Sequence, residues 1–383
     1  MQHTSYIEIS ASAYQHNIKY FRKLLGKNVR ISSVVKGNAY GHGVENIIPL
    51  AENAKVNHFA VFSASEALDV FNAISPGSNI MIMGYLDDIQ LEWAIENGIE
   101  FYVFDMDRLE KAITIAKKIG KAARIHIEAE TGFHRTGFEY ANLLPLAHLM
   151  KKNIEHIIFT GLCTHYAGAE SISNHHRVIN QIAEFKRFHS YFIRHGLKPE
   201  YRHTAGSAAT LTYPQTVMDM VRVGIAQYGF WPSQETFIYQ FKTNKANDSD
   251  LKRLISWKSE IMTIKYADRG DFVGYGTSYM ANKRLKVAII PVGYANGFSR
   301  SLSNAGRVLI RGKRVSVIGS VTMNTMSVNV TDIPNVQKGD EVVIIGKQGK
   351  LSISVASFSE MSNLLNYQIL ARLPGNIPRV VTN

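Results

Sequence analysis

Cysteine is almost missing from this chain: Cys163 stands alone among 383 residues. A lone thiol excludes an internal disulfide framework and any cysteine-based structural zinc site. A reducing, cytoplasmic setting is the default expectation, and no metal is called for. Long apolar runs are missing too. No stretch approaches the roughly 18 consecutive apolar residues of a membrane span. The start, MQHTSYIEIS, lacks the basic residues and continuous apolar run of a secretory signal. The sequence therefore reads as soluble and unprocessed, with no membrane partner. Acidic residues are scarce, 31 Asp+Glu against 43 Lys+Arg, which leaves a formal charge of +12. That excess permits anionic ligands or nucleic acid. However, the pairs Lys117–Lys118 and Lys151–Lys152 fall near helix ends and read as solvated faces, and no nucleic-acid-reading module is recognisable. Repeats and low-complexity tracts are also absent.

What is present has a clear order. From about residue 10 to 240, β-branched or aromatic runs alternate with stretches of helical periodicity. The strand candidates are Ile31–Val35, His58–Phe62, Asn79–Met83, Ile99–Phe104, Ala123–Ala129, Ile157–Thr164, Glu200–Ala205 and Met218–Ile225. Helices are expected over Ser65–Asn72, Met106–Gly120 and Asn174–Gly196. The expected fold class is α/β: a (β/α)8 TIM-type barrel over residues 11–240, although a doubly wound open sheet gives the same alternation. After about residue 250 the strand signals come closely spaced, at Val287–Pro291, Arg307–Arg311, Arg314–Ile318, Met326–Val330 and Glu341–Ile345, with one helical stretch at Ser354–Leu365. A C-terminal mostly β domain over 241–383 is the economical reading. Residues 1–10 read as a strand packing with it, and Gln234–Leu251, with its NDSD tract, as the connection.

Unusual polar residues collect where the barrel strands end, which is where barrel active sites are built. Strand one runs ISSVV into Lys36 and then GNAYGHG. Such a lysine either snorkels to solvent or, partly desolvated, becomes an amine nucleophile able to form Schiff bases. The fifth strand leads into Glu128, Glu130 and Arg135, the sixth into His165 and the seventh into His203 and Gly206–Ser207. The eighth holds Arg222 before Gly224–Ile225. Gly206–Ser207 is an ordinary helix cap or, with Gly224 and Ile225, a phosphate corner. Arg222 is either a structural ion-pair member or a partner for a ring nitrogen. An amine nucleophile, an anion corner and that arginine together describe a site for pyridoxal 5'-phosphate.

The run VVKGNAYGHG around Lys36 closely resembles the lysine signature of alanine racemases. The resemblance continues through YIEISASAYQHN, ETGFHRTGF, THYA, HTAGSAA, MVRVGIAQYG, VGYG, PVGYANG and VTMNTMS, in family order along nearly the whole chain. It implies a homodimer with shared active sites that interconverts L- and D-alanine, a peptidoglycan precursor in its D form. Pyridoxal phosphate is then carried on Lys36, which acts as base on one face, with Tyr275 from the other subunit on the opposite face. By the same resemblance Arg135 and Met323 bind the amino-acid substrate. Tyr40, Ser207, Gly224 and Ile225 hold the phosphate, Arg222 faces the pyridine nitrogen, His203 and His165 support it, and Tyr294 stands at the entrance. Three positions depart from the family pattern. Glu128 stands where many members have a lysine that becomes carbamylated, Asn324 where aspartate is common, and Gly375 where a C-terminal tyrosine is usual. Gly375 encourages the alternative of a broader racemase acting on serine, lysine or other amino acids. A barrel-type decarboxylase fits the VGYG and GYANG tyrosines poorly, and a non-catalytic cofactor-binding protein is disfavoured by the presence of both Lys36 and Tyr275.

Overall fold

Strands that are covered on both faces read as unbroken apolar runs, and a parallel barrel imposes that burial. The computed structural model describes residues 5–243, 251–355 and 366–383. It falls into two compact units. One comprises Ala13–Lys36 and Ile47–Arg253; the other takes the chain up to Ser12, the short stretch Gly37–Asn46 and the chain from Leu254 on.

After β1 (Ser5–Ser10), which belongs to the second unit, come the strands of the first. They are β2 (Arg30–Val34), β3 (His58–Val61), β4 (Asn79–Ile82), β5 (Glu100–Val103), β6 (Ala123–Glu128), β7 (Ile157–Cys163), β8 (Tyr201–His203) and β9 (Met220–Val223). They form one parallel sheet in the order β8-β7-β6-β5-β4-β3-β2-β9. A parallel bridge between Gly206 and Arg222, with the Arg222 N–H donating to Ala205 O at 2.9 Å, brings its two ends together. The result is a TIM-like barrel, and the open doubly wound sheet is set aside. All eight barrel strands lie where the apolar runs predict them.

Helices between the strands carry the expected signals. Ala64–Ala73 starts at a capping box of Ser63 and Glu66, and Met106–Ile119 runs from the Asp105 cap to a left-handed Gly120. His175–Arg194 ends in a Schellman turn, with Gly196 N–H donating to Ile193 O and Leu197 N–H to Phe192 O. The expected connection after residue 233 begins instead with a helix, Gln234–Thr243, because Ser233 Oγ accepts from the Thr236 N–H and both Thr236 and Gln240 are buried. The NDSD tract lies outside the described residues, as does nearly all of the helix expected over Ser354–Leu365. Among the described residues no helix is long and apolar enough to cross a membrane.

The second unit is a sheet built from β1 with β10 (Ile255–Glu260), β11 (Thr263–Ala267), β12 (Leu285–Ile290), β13 (Arg307–Ile310), β14 (Lys313–Ile318), β15 (Met326–Asn329), β16 (Glu341–Gln348), β17 (Leu351–Ile353) and β18 (Arg379–Thr382). Its order is β11-β12-β15-β14-β13-β16-β10-β1-β18, with β17 on β16. β1 lies antiparallel to β10 and parallel to β18. The apolar-run reading finds β12 to β16 but passes over β10, β11, β17 and β18.

One buried amide fixes the strand that leads into Lys36. Gln227 Oε1 accepts from Tyr14 Oη at 3.0 Å and Ser33 Oγ at 2.7 Å, while its Nε2 donates to Val34 O and Val223 O. Replacing Gln227 by leucine keeps the bulk but takes the acceptor from two buried hydroxyls and a donor from Val223 O, while Val34 O keeps the donation from Tyr228 Oη. At about 1–3 kcal/mol for each unsatisfied group, partly relieved by relaxation, Gln227→Leu should lose about 3–5 kcal/mol. Chemical denaturation would measure this, and a loss within experimental error would show that the amide is not an anchor.

Candidate active site

β2 is buried through Val34, and Lys36 emerges at its C-terminal end with its side chain at the barrel mouth. Lys36 keeps solvent access there, yet the surrounding protein desolvates its ammonium, and the cations of Arg135 and Arg222 add to the effect. Its pKa falls below the ordinary lysine value, so the free amine is reached at lower pH. Immediately after it the backbone turns left-handed: φ is 63° at Gly37, 51° at Asn38, 53° at Ala39, 52° at Tyr40 and 78° at Gly41. Each non-glycine residue in that region costs about 1–2 kcal/mol, so the turn persists only because its surroundings fix it. Asn38 Oδ1 accepts from the Val44 N–H at 2.9 Å, and Gly41 N–H donates to Gly37 O at 2.9 Å. Gly41 is obligatory: a Cβ there would lie 2.0 Å from Leu370 O. Arg379 Nε donates to Gly41 O at 2.9 Å, while its other nitrogens donate to the carbonyls of Leu373, Pro374, Gly375 and Ile377.

On β9, the strand paired with β2, Arg222 is buried and makes four hydrogen bonds. Nη1 donates to His203 Nδ1 and His203 O, both at 2.6 Å; Nη2 donates to Thr164 O at 2.8 Å and Thr204 O at 3.2 Å. Its Nε takes part in none of them. Behind His203 the chain of contacts continues. His203 Nε2 is 2.8 Å from His126 Nδ1, and His126 Nε2 is 2.9 Å from Glu100 Oε2. That oxygen is in turn 3.0 Å from His58 Nε2, and His58 Nδ1 is 2.8 Å from Ser32 Oγ. Burial lowers the pKa of His126, and burial beside Arg222 lowers that of His203 much further, so both rings are neutral. Sequence reasoning found Arg222 and His203 but missed Glu100, His126 and His58. The available signal was a carboxylate and two imidazoles inside strands that are otherwise apolar.

The ETGFHRTGF segment after β6 is organised by Glu130. Its carboxylate accepts backbone N–H groups from Gly132, Phe133, His134 and Arg135, which outweighs its partial burial and holds its pKa below the usual range. This wrap presents Arg135, whose guanidinium lies 4.5 Å over the Phe133 ring. Arg135 makes no ion pair with Glu128. The Glu128 carboxyl is buried, which raises its pKa against a hydrogen bond from Thr136 and the charges of Arg135 and Arg222. His165 faces the same mouth, its ring 5.6 Å from that of Phe133. Enclosure together with the cations of Arg222, Arg135 and Lys36 lowers its pKa to about 3. Ser207 Oγ accepts from the Gly224 N–H at 2.9 Å, which leaves its proton to donate beside Gly224 and Ile225. The barrel unit thus gathers Lys36, Arg135, His165, His203, Ser207, Arg222, Gly224 and Ile225, donors suited to a planar phosphorylated ligand.

The remaining candidates belong to the strand-rich unit. Tyr40 lies in the left-handed turn, its ring 6.3 Å from that of Tyr367. Tyr294 and Met323 are joined through the backbone, Tyr294 N–H donating to Thr322 O and Ala295 N–H to Met323 O. A Cβ at Gly293 would lie 2.2 Å from Thr322 O. Tyr275 sits between left-handed Gly274 and Gly276 and is 77% exposed, so its phenol is offered outward from this chain. At Gly375 a Cβ would meet nothing within 4 Å.

A partly desolvated amine at a barrel strand end, a buried arginine backed by neutral imidazoles and a cationic mouth suit a barrel enzyme that handles anionic ligands. Two family models match the chain: the alanine racemase N-terminal domain over residues 9–232 and its C-terminal domain over residues 254–381. Alanine racemase of Leptospira interrogans is 33% identical over 381 residues, covering 100% of this chain and 96% of that protein. Among solved structures, alanine racemase of Clostridium difficile superposes with a TM-score of 0.91 at 28% identity, covering 100% of this chain and 96% of that one. That of Bartonella henselae, with covalently bound pyridoxal phosphate, gives 0.84 at 25% identity with both chains fully covered. The chain belongs to the alanine racemase family.

The Glu130 wrap is testable without a substrate. Glu130→Ala should raise amide hydrogen exchange at Gly132 to Arg135 about tenfold, the scale of a lost charge-assisted hydrogen bond, with the barrel strands unchanged. A carboxylate of depressed pKa stabilises above its unfolded pKa and loses that effect as pH falls through its folded one. Wild-type protection of this loop should therefore fade only in acid, below about pH 4. Unchanged exchange in the variant would remove Glu130 from this role.

Proposed function

We propose that this chain interconverts L- and D-alanine by moving the α-proton between Lys36 on one face of the substrate and Tyr275 of a second copy on the other. Pyridoxal phosphate, when bound, supplies the electron sink that makes that proton acidic. Lys36 carries the cofactor at Nζ and takes or returns the proton at the same atom. Tyr275 Oη does so from the opposite side, because a single positioned base returns the proton to the face it left. Arg135 orients the substrate carboxylate, assisted by the backbone of Met323, and Tyr294 guards the entrance. Tyr40, Ser207, Gly224 and Ile225 hold the phosphate. Arg222 offers Nε–H to the pyridine nitrogen and disfavours its protonation, with His203 and His165 in support. Glu128 supplies a buried carboxyl where relatives place a modified lysine. The cytoplasm, where D-alanine enters cell-wall synthesis, is the setting proposed.

The observation that carries this reading is Lys36: an amine of lowered pKa on a strand end, sharing its mouth with Arg135 and Arg222. A homodimer is supported by the outward-facing Tyr275 and by the exposed apolar side chains of Phe272, Met280 and Met323 on the same unit, which a second copy would cover. Lys36→Ala and Tyr275→Phe should each be nearly inactive as homodimers. Random reassortment of equal amounts makes half the dimers hybrid, each with one intact site, so about a quarter of wild-type racemisation should return. A mixture no more active than its components would overturn the shared site.

The open space at Gly375 favours wider substrate scope as a second reading. One methylene of pocket changes discrimination by about 1–3 kcal/mol. Serine should therefore be racemised measurably by the wild type, and Gly375→Tyr should cut the serine-to-alanine ratio of kcat/KM about tenfold or more. Chiral chromatography reads both, and a ratio unchanged by the substitution would show that this glycine does not set scope.

A further inference from the structure

Arg222 has only donors to offer, and that fact propagates through the barrel core. His203 Nδ1, 2.6 Å from Nη1, must accept, so the proton of the neutral His203 ring sits on Nε2. His126 Nδ1, 2.8 Å away, must then accept in turn, and the His126 proton sits on Nε2, 2.9 Å from Glu100 Oε2. Glu100 therefore accepts, and it accepts from every side. His58 Nε2 donates to the same oxygen at 3.0 Å, while Arg124 Nη2 and Asn79 Nδ2 approach Oε1 at 3.2 and 3.4 Å. Burial pushes this carboxyl up, but His58 and His126 outweigh it and hold it ionised. The backbone is shaped for the chain. The β6–β7 register slips between Ile125 and His126, and the residue then opposite His126 is Gly161, where a Cβ would lie 2.0 Å from His126 Nδ1 and 2.8 Å from His203 Nε2.

We propose that Glu100 is a positioning residue that sets the tautomers of His126 and His203, and through them presents the lone pair that holds Arg222 in place. The alternative polarity is incompatible with the end groups. If His126 and His203 carried their protons on Nδ1, one N–H would point at Arg222 and a bare nitrogen at the Glu100 carboxylate. A glutamine at this position meets the same conflict. With its amide N–H2 toward the imidazoles it reverses both rings against Arg222, and with its oxygen toward them it sets N–H2 against Arg124 and Asn79. Only an anion satisfies both sides, which gives a fully connected network its single direction. The consequence for the reaction rests on the reading of Arg222 as the cofactor's partner; the tautomers themselves do not.

Imidazole nitrogen NMR on the 15N-histidine-labelled holoenzyme tests this directly. Wild type should show neutral His126 and His203 with the proton on Nε2. Glu100→Gln should lose that pattern in at least one ring, shift the visible band of the bound cofactor and lower kcat for alanine about tenfold, with KM within about twofold. Glu100→Asp, still an anion, should recover part of kcat and the band. A wild-type proton on Nδ1 of either ring would overturn the proposal, whether or not the variants fold. So would a folded Glu100→Gln protein with wild-type tautomers and band. Wild-type protein that racemises nothing yet shows Nε2 protons lost in Glu100→Gln would sink the proposed function and leave this inference standing.

Discussion

A guanidinium buried on a barrel strand is the constraint around which this core is built. Taking the charge of Arg222 out of water costs several kcal/mol unless each N–H finds an acceptor in good geometry. Three backbone carbonyls and one imidazole nitrogen meet that demand for Nη1 and Nη2. The carbonyls belong to Thr164, just past β7, and to His203 and Thr204 at the end of β8, so the pairing also holds the side of the barrel closed by the bridge between Gly206 and Arg222. The imidazole does something the carbonyls do not. It hands the orientation of Arg222 to a line of side chains crossing the core to an ionised carboxylate, so Arg222 is linked to a carboxylate deep in the core rather than to one in direct contact.

Positioning of the lysine follows a related logic. Upstream, Val34 O receives Gln227 Nε2 and Tyr228 Oη, which fixes the strand that delivers Lys36. Downstream, Arg379 grips Gly41 O and four carbonyls near the C-terminus, which keeps the left-handed turn from relaxing. Residues nearly two hundred and more than three hundred positions away thus hold a segment whose own sequence, with Asn38, Ala39 and Tyr40 left-handed, disfavours its shape.

The barrel strands were legible because burial on both faces leaves β-branched runs such as Ile80–Ile82 with little to confuse them. β10, ISWKSE, alternates buried and half-exposed positions, and its lysine and glutamate mask a strand that lies inside the sheet between β16 and β1. β17 and β18 are three and four residues long, too short to carry a period. In the site, Lys36, Arg135, Ser207 and Arg222 stood out as polar residues at strand ends. Glu100, His58 and His126 lie inside strands, where one polar residue in an apolar run looks like noise until its partners on other strands are known. The Glu130 wrap was half legible: the glutamate was noticed, but four backbone bonds to one carboxylate follow from the turn's conformation, which composition does not encode.

Charge at the mouth ties these parts to the chemistry. Lys36, Arg135 and Arg222 face one another with only the buried, proton-favouring Glu128 and the fully engaged Glu130 nearby, so the site is net positive. That field attracts anions, and the proposed reaction brings two together, a phosphate and a carboxylate. It also acts on the protein's own groups. It disfavours the ammonium of Lys36 and, more strongly, the imidazolium of His165. One electrostatic arrangement therefore favours anions at the mouth and disfavours added positive charge on the groups that line it, the conditions that the proposed proton exchange at Lys36 requires.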